Sequence, residues 1–288
     1  MKKQNSVLLG LTGVLLVWLS SGIGFPLVSY LDFGIGELLA SRGLMTLLIP
    51  LIVLGGAMTL KTSAKSYKAA LWLTVCAATV FWAFKIWSVS LTLVVYTTAP
   101  IFSFILAWRK GRRPELVPVL SLALILLGVF FVLKPWTETE FSLLGFVLAL
   151  IGAFTSAKFA EAVDESGDSM LQKCFAMGVI MLMAGLIGFE ADWASIVTSP
   201  KALLVLLGFG ALVGFVNLFA NVVAIKNLTP TIYQTIVQGE TPAAILFAGL
   251  ILGEKLDTFQ WWGVAVAIGG VIWLSQWLGR KDKPVAIS

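Results

Sequence analysis

Histidine is absent from all 288 residues, and charged residues make up only 12% of them. Without imidazole there is no histidine acid–base chemistry and no metal site built on imidazole ligands. So few charges cannot cover the surface of a water-soluble domain of this size. The chain has two cysteines, Cys76 and Cys174, both inside apolar stretches, so no disulfide framework is implied. No GxxxxGK[ST] phosphate loop occurs, which argues against ATP-driven pumping by this chain alone. The clustered Asp, His or Arg that an intramembrane enzyme would set at one interface is missing. Polar residues are also too scattered for the repeated rings of a channel. No enzyme activity, cofactor or metal is expected.

Apolar residues dominate instead, at 59% of the chain, with a mean hydropathy of +0.96. Apolar runs long enough to cross roughly 30 Å of hydrocarbon recur along its whole length. Ten spans are predicted, at 6–31, 35–56, 67–86, 89–108, 116–134, 142–162, 169–189, 202–225, 230–252 and 258–278. With both termini taken as cytoplasmic, the inside basic residues are Lys2, Lys3, Lys61, Lys65, Lys68, Arg109, Lys110, Arg112, Arg113, Lys158, Lys173, Lys226, Arg280, Lys281 and Lys283. The outside set is Lys134, Lys201 and Lys255. That bias predicts an even number of helices in a cell inner membrane with both ends inside. It also explains the net charge of +5 without a nucleic-acid partner. The first apolar run lacks a small-residue cleavage site and reads as a retained helix.

The chain rhymes with itself. Val94 to Val132 aligns with Ile236 to Leu274, placing Pro100 on Pro242, Gly111 on Gly253, Ala123 on Ala265 and Gly128 on Gly270. Leu8-Leu9-Gly10, leading to Ser20-Ser21, matches Leu143-Leu144-Gly145, leading to Thr155-Ser156. Ala83-Phe84-Lys85 matches Ala224-Ile225-Lys226. Two five-helix halves follow, 1–137 and 138–288. Five is odd, so the second half starts from the opposite side of the membrane. The expected fold is an all-α polytopic membrane protein of ten helices in two inverted five-helix repeats, a mark of secondary transporters.

The segments AFKIWSVSLTLVVYTTAPIF and AIKNLTPTIYQTIVQGETPAAILFAGLILGEKLDTFQWWGVAVAIGGVIWL resemble the EamA family of the drug/metabolite transporter superfamily. Leu252-Gly253-Glu254, Gln260, Gly263 and Gly270-Val271 carry the most specific match, and the likeness runs over about residues 6–278. It implies alternating access, with helices one to four and six to nine around a cavity and five and ten behind. It implies a small amphipathic substrate, with export of aromatic or other neutral amino acids favoured. A cationic metabolite, or uptake instead of export, is the alternative. The first half departs from the family pattern, with Gly111-Arg112 where Gly-Glu is usual.

Glu240 lies about ten residues into the ninth span, near mid-bilayer at 1.5 Å per residue. A carboxyl there needs a cavity or a partner, and it suits either proton coupling or a substrate ammonium. Gln234, Gln238 and Thr241 share one face of that helix, while Tyr233 and Glu240 share another. The sequence leaves open which face meets a cavity. Asn217 and Asn221 are spaced i, i+4 in the eighth span. Tyr96 and Thr98 occupy the matching region of the first half. Each of these also suits plain interhelical hydrogen bonding. Arg42 suits a substrate carboxylate, a pairing with Glu37, or snorkelling. Trp18 and Trp82 lie inside spans and are candidates for an aromatic wall. Pro100 and Pro242, with Gly239, are predicted helix hinges. A monomer is sufficient, with a small molecule and the lipid bilayer as partners.

Overall fold

The protein, a computed structural model, is described at residues 2–30, 33–54, 61–112, 115–137, 140–189, 193–243, 246–247 and 256–281. Among these residues there is no strand. Among the described residues, nine helical stretches are long and apolar enough to cross a membrane. The predicted ninth span, 230–252, runs into residues outside the described set. So do the Leu252-Gly253-Glu254 motif and Arg113, Lys255 and Lys283.

The first half comprises α1 (Lys2–Tyr30), α2 (Ile35–Leu54), α3 (Ala64–Ile86), α4 (Val89–Tyr96), α5 (Ala99–Arg109) and α6 (Leu116–Leu133). A short 3-10 turn, Pro135–Thr137, leads to α7 (Leu143–Glu165), α8 (Met170–Ile187), α9 (Trp193–Thr198) and α10 (Pro200–Phe209). A π-helical stretch (Gly210–Val216) joins α10 to α11 (Asn217–Asn227), and α12 (Pro230–Val237) and α13 (Thr258–Lys281) follow. Serine and threonine start several helices. Ser142, Ser169, Ser199 and Thr229 each accept a bond from a backbone N–H of the first turn, and Ser169 with Gln172 closes a capping box.

The helices cross in pairs: α1 on α11, α2 on α8, α3 on α7 and α6 on α13. Small residues allow these approaches. A Cβ on Gly43 would run into the backbone of Leu182, and one on Gly178 into that of Leu47. Gly128 sits on Gly263 and Ala267, while Gly270 sits on Ser121 and Ile125. Gly10 abuts Leu228, and Gly145 abuts Trp87. In lipid, where apolar burial offers little drive between helices, such backbone contact and van der Waals packing are what hold a bundle together.

Large apolar side chains face outward all around the bundle, among them Ile52 (79% exposed), Ile187 (79%), Leu204 (73%) and Leu116 (71%). No water-soluble surface carries such a load, and lipid is its natural solvent. Charge collects at the helix ends. At one end Lys110 pairs with Glu161 (2.7 Å) and Glu165, joining the end of α5 to α7. At that same end the Asp168 carboxylate accepts bonds from the Ser63 N–H (2.8 Å), the Ser63 hydroxyl (2.7 Å) and the Ser66 hydroxyl (2.6 Å). Lys226 Nζ donates to the carbonyls of Asp164 (3.0 Å) and Ser166 (2.6 Å). At the opposite end Lys134 pairs with Asp257, and the Trp87 indole donates to the Glu140 carbonyl (3.1 Å).

Candidate functional site

The fourth and ninth spans, which carry Pro100 and Pro242, are interrupted at corresponding places. Between α4 and α5, Thr97 and Thr98 form a tight turn, with Thr98 N–H bonded to Val95 O (3.1 Å) and Ile101 N–H to Thr98 O (2.9 Å). Between α12 and the helical residues from Glu240 onward, Gln238 and Gly239 do the same, with Gly239 N–H on Ile236 O (3.1 Å) and Thr241 N–H on Gln238 O (3.3 Å). These i to i−3 bonds are 3-10 geometry. Gly239, a predicted hinge, lies in its turn, and the two prolines lie just past theirs. Each lies in the first turn of the helix that resumes after the interruption, where its missing N–H costs least.

A cavity of about 90 Å³ lies beside these interruptions. Ser21, Arg42, Cys76, Tyr96, Asn217 and Glu240 supply polar atoms to its wall, together with Ser156, Asn221 and Tyr233. Phe81, Leu93, Phe159 and Val213 supply much of the apolar part. Glu240 and Arg42 are each only 8% exposed. They face the same cavity, and among the described residues no direct ion pair joins them. The Arg42 guanidinium lies 5.6 Å from the centre of the Phe81 ring, a cation–π arrangement that helps hold a buried cation.

Arg42 owes its place to the π stretch. Gly210 and Gly214 lack the Cβ atoms that would strike the backbone of Ser41 and Arg42, so α2 nests against the widened turn. π bulges recur at functional sites. Directly after it come Asn217 and Asn221, aimed at α1 and α12. The Tyr233 hydroxyl donates to Asn221 Oδ1. Asn221 Nδ2 donates to Asn217 Oδ1 (2.8 Å), and Asn217 Nδ2 donates to Ser21 Oγ (2.9 Å). Ser21 in turn bonds Glu240. The chain runs from α12 through α11 to α1 and ends at the Glu240 carboxyl, with a side branch from Asn217 Nδ2 to Ser20 Oγ (2.9 Å).

The other predicted residues fall outside the cavity wall. Gln234 Nε2 donates to the Ser156 carbonyl (2.9 Å) and Gln238 Nε2 to the Gln234 carbonyl (3.2 Å), so the Tyr233–Glu240 face is the one that meets the cavity. The Thr98 hydroxyl is spent on the Val95 carbonyl (2.7 Å). Trp18 packs its ring on Gly239, and its indole N–H is buried without a partner. Trp82 is 45% exposed and does not reach the wall. Ser21, Cys76 and Ser156 were missed as wall residues. The matching Ser20-Ser21 and Thr155-Ser156 pairs were the available signal for the serines, whereas Cys76 had none.

No family model matches the chain, and no curated protein matches it. Among solved structures, one crystal structure superposes with a TM-score of 0.75 at 14% identity, covering 97% of this chain and 99% of that chain. At that identity the likeness speaks for the fold alone. The architecture and the apolar exterior define an α-helical, multi-pass membrane protein.

Proposed function

We propose that the chain is a secondary transporter of small zwitterionic metabolites, most simply a neutral or aromatic amino acid exporter of the EamA type. The observation that carries this reading is that Glu240 and Arg42, both buried, line one cavity. One acid and one base held apart in a desolvated space suit the ammonium and carboxylate of an amino acid. A lone cation would meet Arg42 in the same space, so the cationic alternative is disfavoured by like-charge repulsion. The cavity, about 90 Å³, holds the charged ends and not a bulky body. Loading therefore needs the walls to part, as alternating access provides.

The proposal includes ten helices in two inverted repeats, and the helix contacts support it. The Gly43–Leu182 contact becomes the Gly178–Leu47 contact when each half is exchanged for the other at an offset of 135 residues. The Gly128–Ala267 contact becomes Gly270–Ile125 at an offset of 142. Gly10 on Leu228 answers to Gly145 on Trp87, each glycine against the residue that ends a partner helix. Such exchange is what a two-fold axis between the halves produces, and an odd number of helices in each half lays that axis in the membrane plane. The end bearing Lys110, Lys173 and Lys226 is the cytoplasmic one by the positive-inside bias, which puts both termini inside.

The test is uptake into proteoliposomes of aromatic and aliphatic amino acids, nucleobases and choline-like cations, with and without a pH gradient, for wild type and Glu240→Gln. Transport of neutral amino acids, reduced at least about tenfold in the variant, is expected from the loss of a charged hydrogen bond to substrate. A gradient effect present only with Glu240 would add proton coupling to its role. Movement of choline-like cations alone would sink the zwitterion reading.

A further inference from the structure

A larger cavity lies elsewhere. It measures about 410 Å³ and opens at the charged end of the bundle, where Lys110, Arg112, Glu161, Asp164 and Glu165 form its rim and Phe104 and Trp277 are among its apolar lining. Three elements run from it to the central cavity. On α7, Ser156 and Phe159 face the central cavity, and Glu161 and Asp164 face the larger one. On the fourth span, Tyr96 and Leu93 face the first, and Ser103, Phe104 and Lys110, beyond the Thr97–Thr98 turn, face the second. On the ninth, Tyr233, Val237 and Glu240 face the first, and Thr231 and Ile232 face the second. What separates the two spaces is thus α5 and α12, which pack on each other. Each ends at a 3-10 turn at the level of the central cavity, the natural place for a change in φ/ψ.

We propose that the larger cavity is the loading vestibule of the central site, binding an amphipathic zwitterion before occlusion, and that α5 and α12 are a two-leaf gate latched by Lys110 on Glu161 and Glu165. The vestibule's substrate rests on the transporter reading above, whereas the gate and latch do not depend on what is carried. The latch sits at the free end of α5, far from its hinge, where a modest force has the longest lever. It also crosses from the first half of the chain to the second. The partly exposed rim makes it a weak bond, as a gate that must open requires. Both acids hold the Lys110 ammonium above its ordinary pKa, Glu161 and then Glu165 through their hydrogen bonds, so the latch stays charged at neutral pH.

Cys76 in the central cavity is a native reporter of the gate. In a Cys174→Ala background, alkylation of Cys76 by a bulky, charged maleimide is followed in lipid nanodiscs without added substrate. Lys110→Gln is expected to raise the rate about threefold, the scale of a partly exposed ion pair. Lys110→Glu is expected to raise it further, and Lys110→Glu combined with Glu161→Lys and Glu165→Lys to bring it back toward the starting value. Thr231→Trp, which fills the vestibule, is expected to slow labelling in the Lys110→Gln protein. Melting temperatures for each variant separate opening from unfolding. Unchanged labelling in folded Lys110→Gln and Lys110→Glu proteins, or failure of the swap to reverse the effect, overturns the gate. Absence of amino acid flux with these labelling changes intact would overturn the transporter reading and leave the gate standing.

Discussion

Trp18 lies with the edge of its indole ring against Gly239, at the turn that interrupts the ninth span. The ring occupies the space a Cβ would need, and it is a rigid neighbour. Gly239→Ala therefore forces either the ring or the turn to move. The expected cost is about 1–3 kcal/mol, the range for overpacking. A melting curve in detergent will show it, and Trp18→Leu is expected to relieve much of the loss in the double variant. If Gly239→Ala melts with wild type, the contact is looser than described.

Helix-to-helix contact between α2 and α8 leads to a second expectation. Gly178 faces the backbone of Leu47 and Thr46, and backbone cannot rotate out of the way as a side chain can. Gly178→Ala is expected to destabilise by more than about 1–3 kcal/mol, the overpacking range for side-chain neighbours. Gly208→Ala, at a glycine with open space around the missing Cβ, is the control and should be neutral or slightly stabilising. Equal melting temperatures for the two variants would contradict the packing.

The Asp168 carboxylate sets a third. Burial works to raise its pKa, but the bonds from the Ser66 and Ser63 hydroxyls and the Ser63 N–H outweigh that and hold it below the ordinary value of 3.8. A depressed folded pKa means stability that is present above the unfolded value and lost as pH falls through the folded one. Wild type should outlast Asp168→Ala by about 1 kcal/mol at neutral pH, after discounting for solvent exposure. That advantage should persist at about pH 5 and fade below the unfolded pKa of about 3.9. Melting temperature against pH for both proteins checks it. A gap that does not narrow in acid removes Asp168 from the account.

The helical membrane character was legible because a bilayer leaves few choices. An apolar run long enough to span it must be helical, and Leu116–Leu133 or Leu143–Glu165 can be nothing else. Glu240 was legible for the same reason, since a carboxyl at that depth needs an explanation. Gly239 lies in its interruption, whereas Pro100 and Pro242 lie just past theirs. Pro100 and Pro242 advertise a defect, but a proline is tolerated at a helix start and so marks where the helix resumes, not where it breaks. The π stretch gave no signal at all, because Gly210–Val216 is as apolar as its neighbours and the extra residue per turn is chosen by packing on α2. The inward face of Gln234 and Gln238 stayed undecided for a related reason. Helical period groups them correctly, but the partner helix decides which face is turned inward.

The donor chain that ends on Glu240 makes the last prediction the most discriminating. Asn217 is its junction, donating to Ser20 and Ser21 (both 2.9 Å) and accepting from Asn221 (2.8 Å on Oδ1 and 2.7 Å on its carbonyl). Tyr233 is its far terminus, with one bond to Asn221. Asn217→Leu leaves several buried polar groups unpaired, each costing about 1–3 kcal/mol, and frees the carboxyl from its orientation. Tyr233→Phe removes one hydroxyl and leaves the Ser21 bond to Glu240 untouched. Substrate flux in proteoliposomes should therefore fall steeply for Asn217→Leu and only a few-fold for Tyr233→Phe, in line with one neutral hydrogen bond. Asn217→Ser, which keeps a donor, should recover part of the loss. The reverse order, with Tyr233→Phe the more damaging, would mean that the tyrosine hydroxyl meets the substrate directly and that the chain of donors is scaffolding around it.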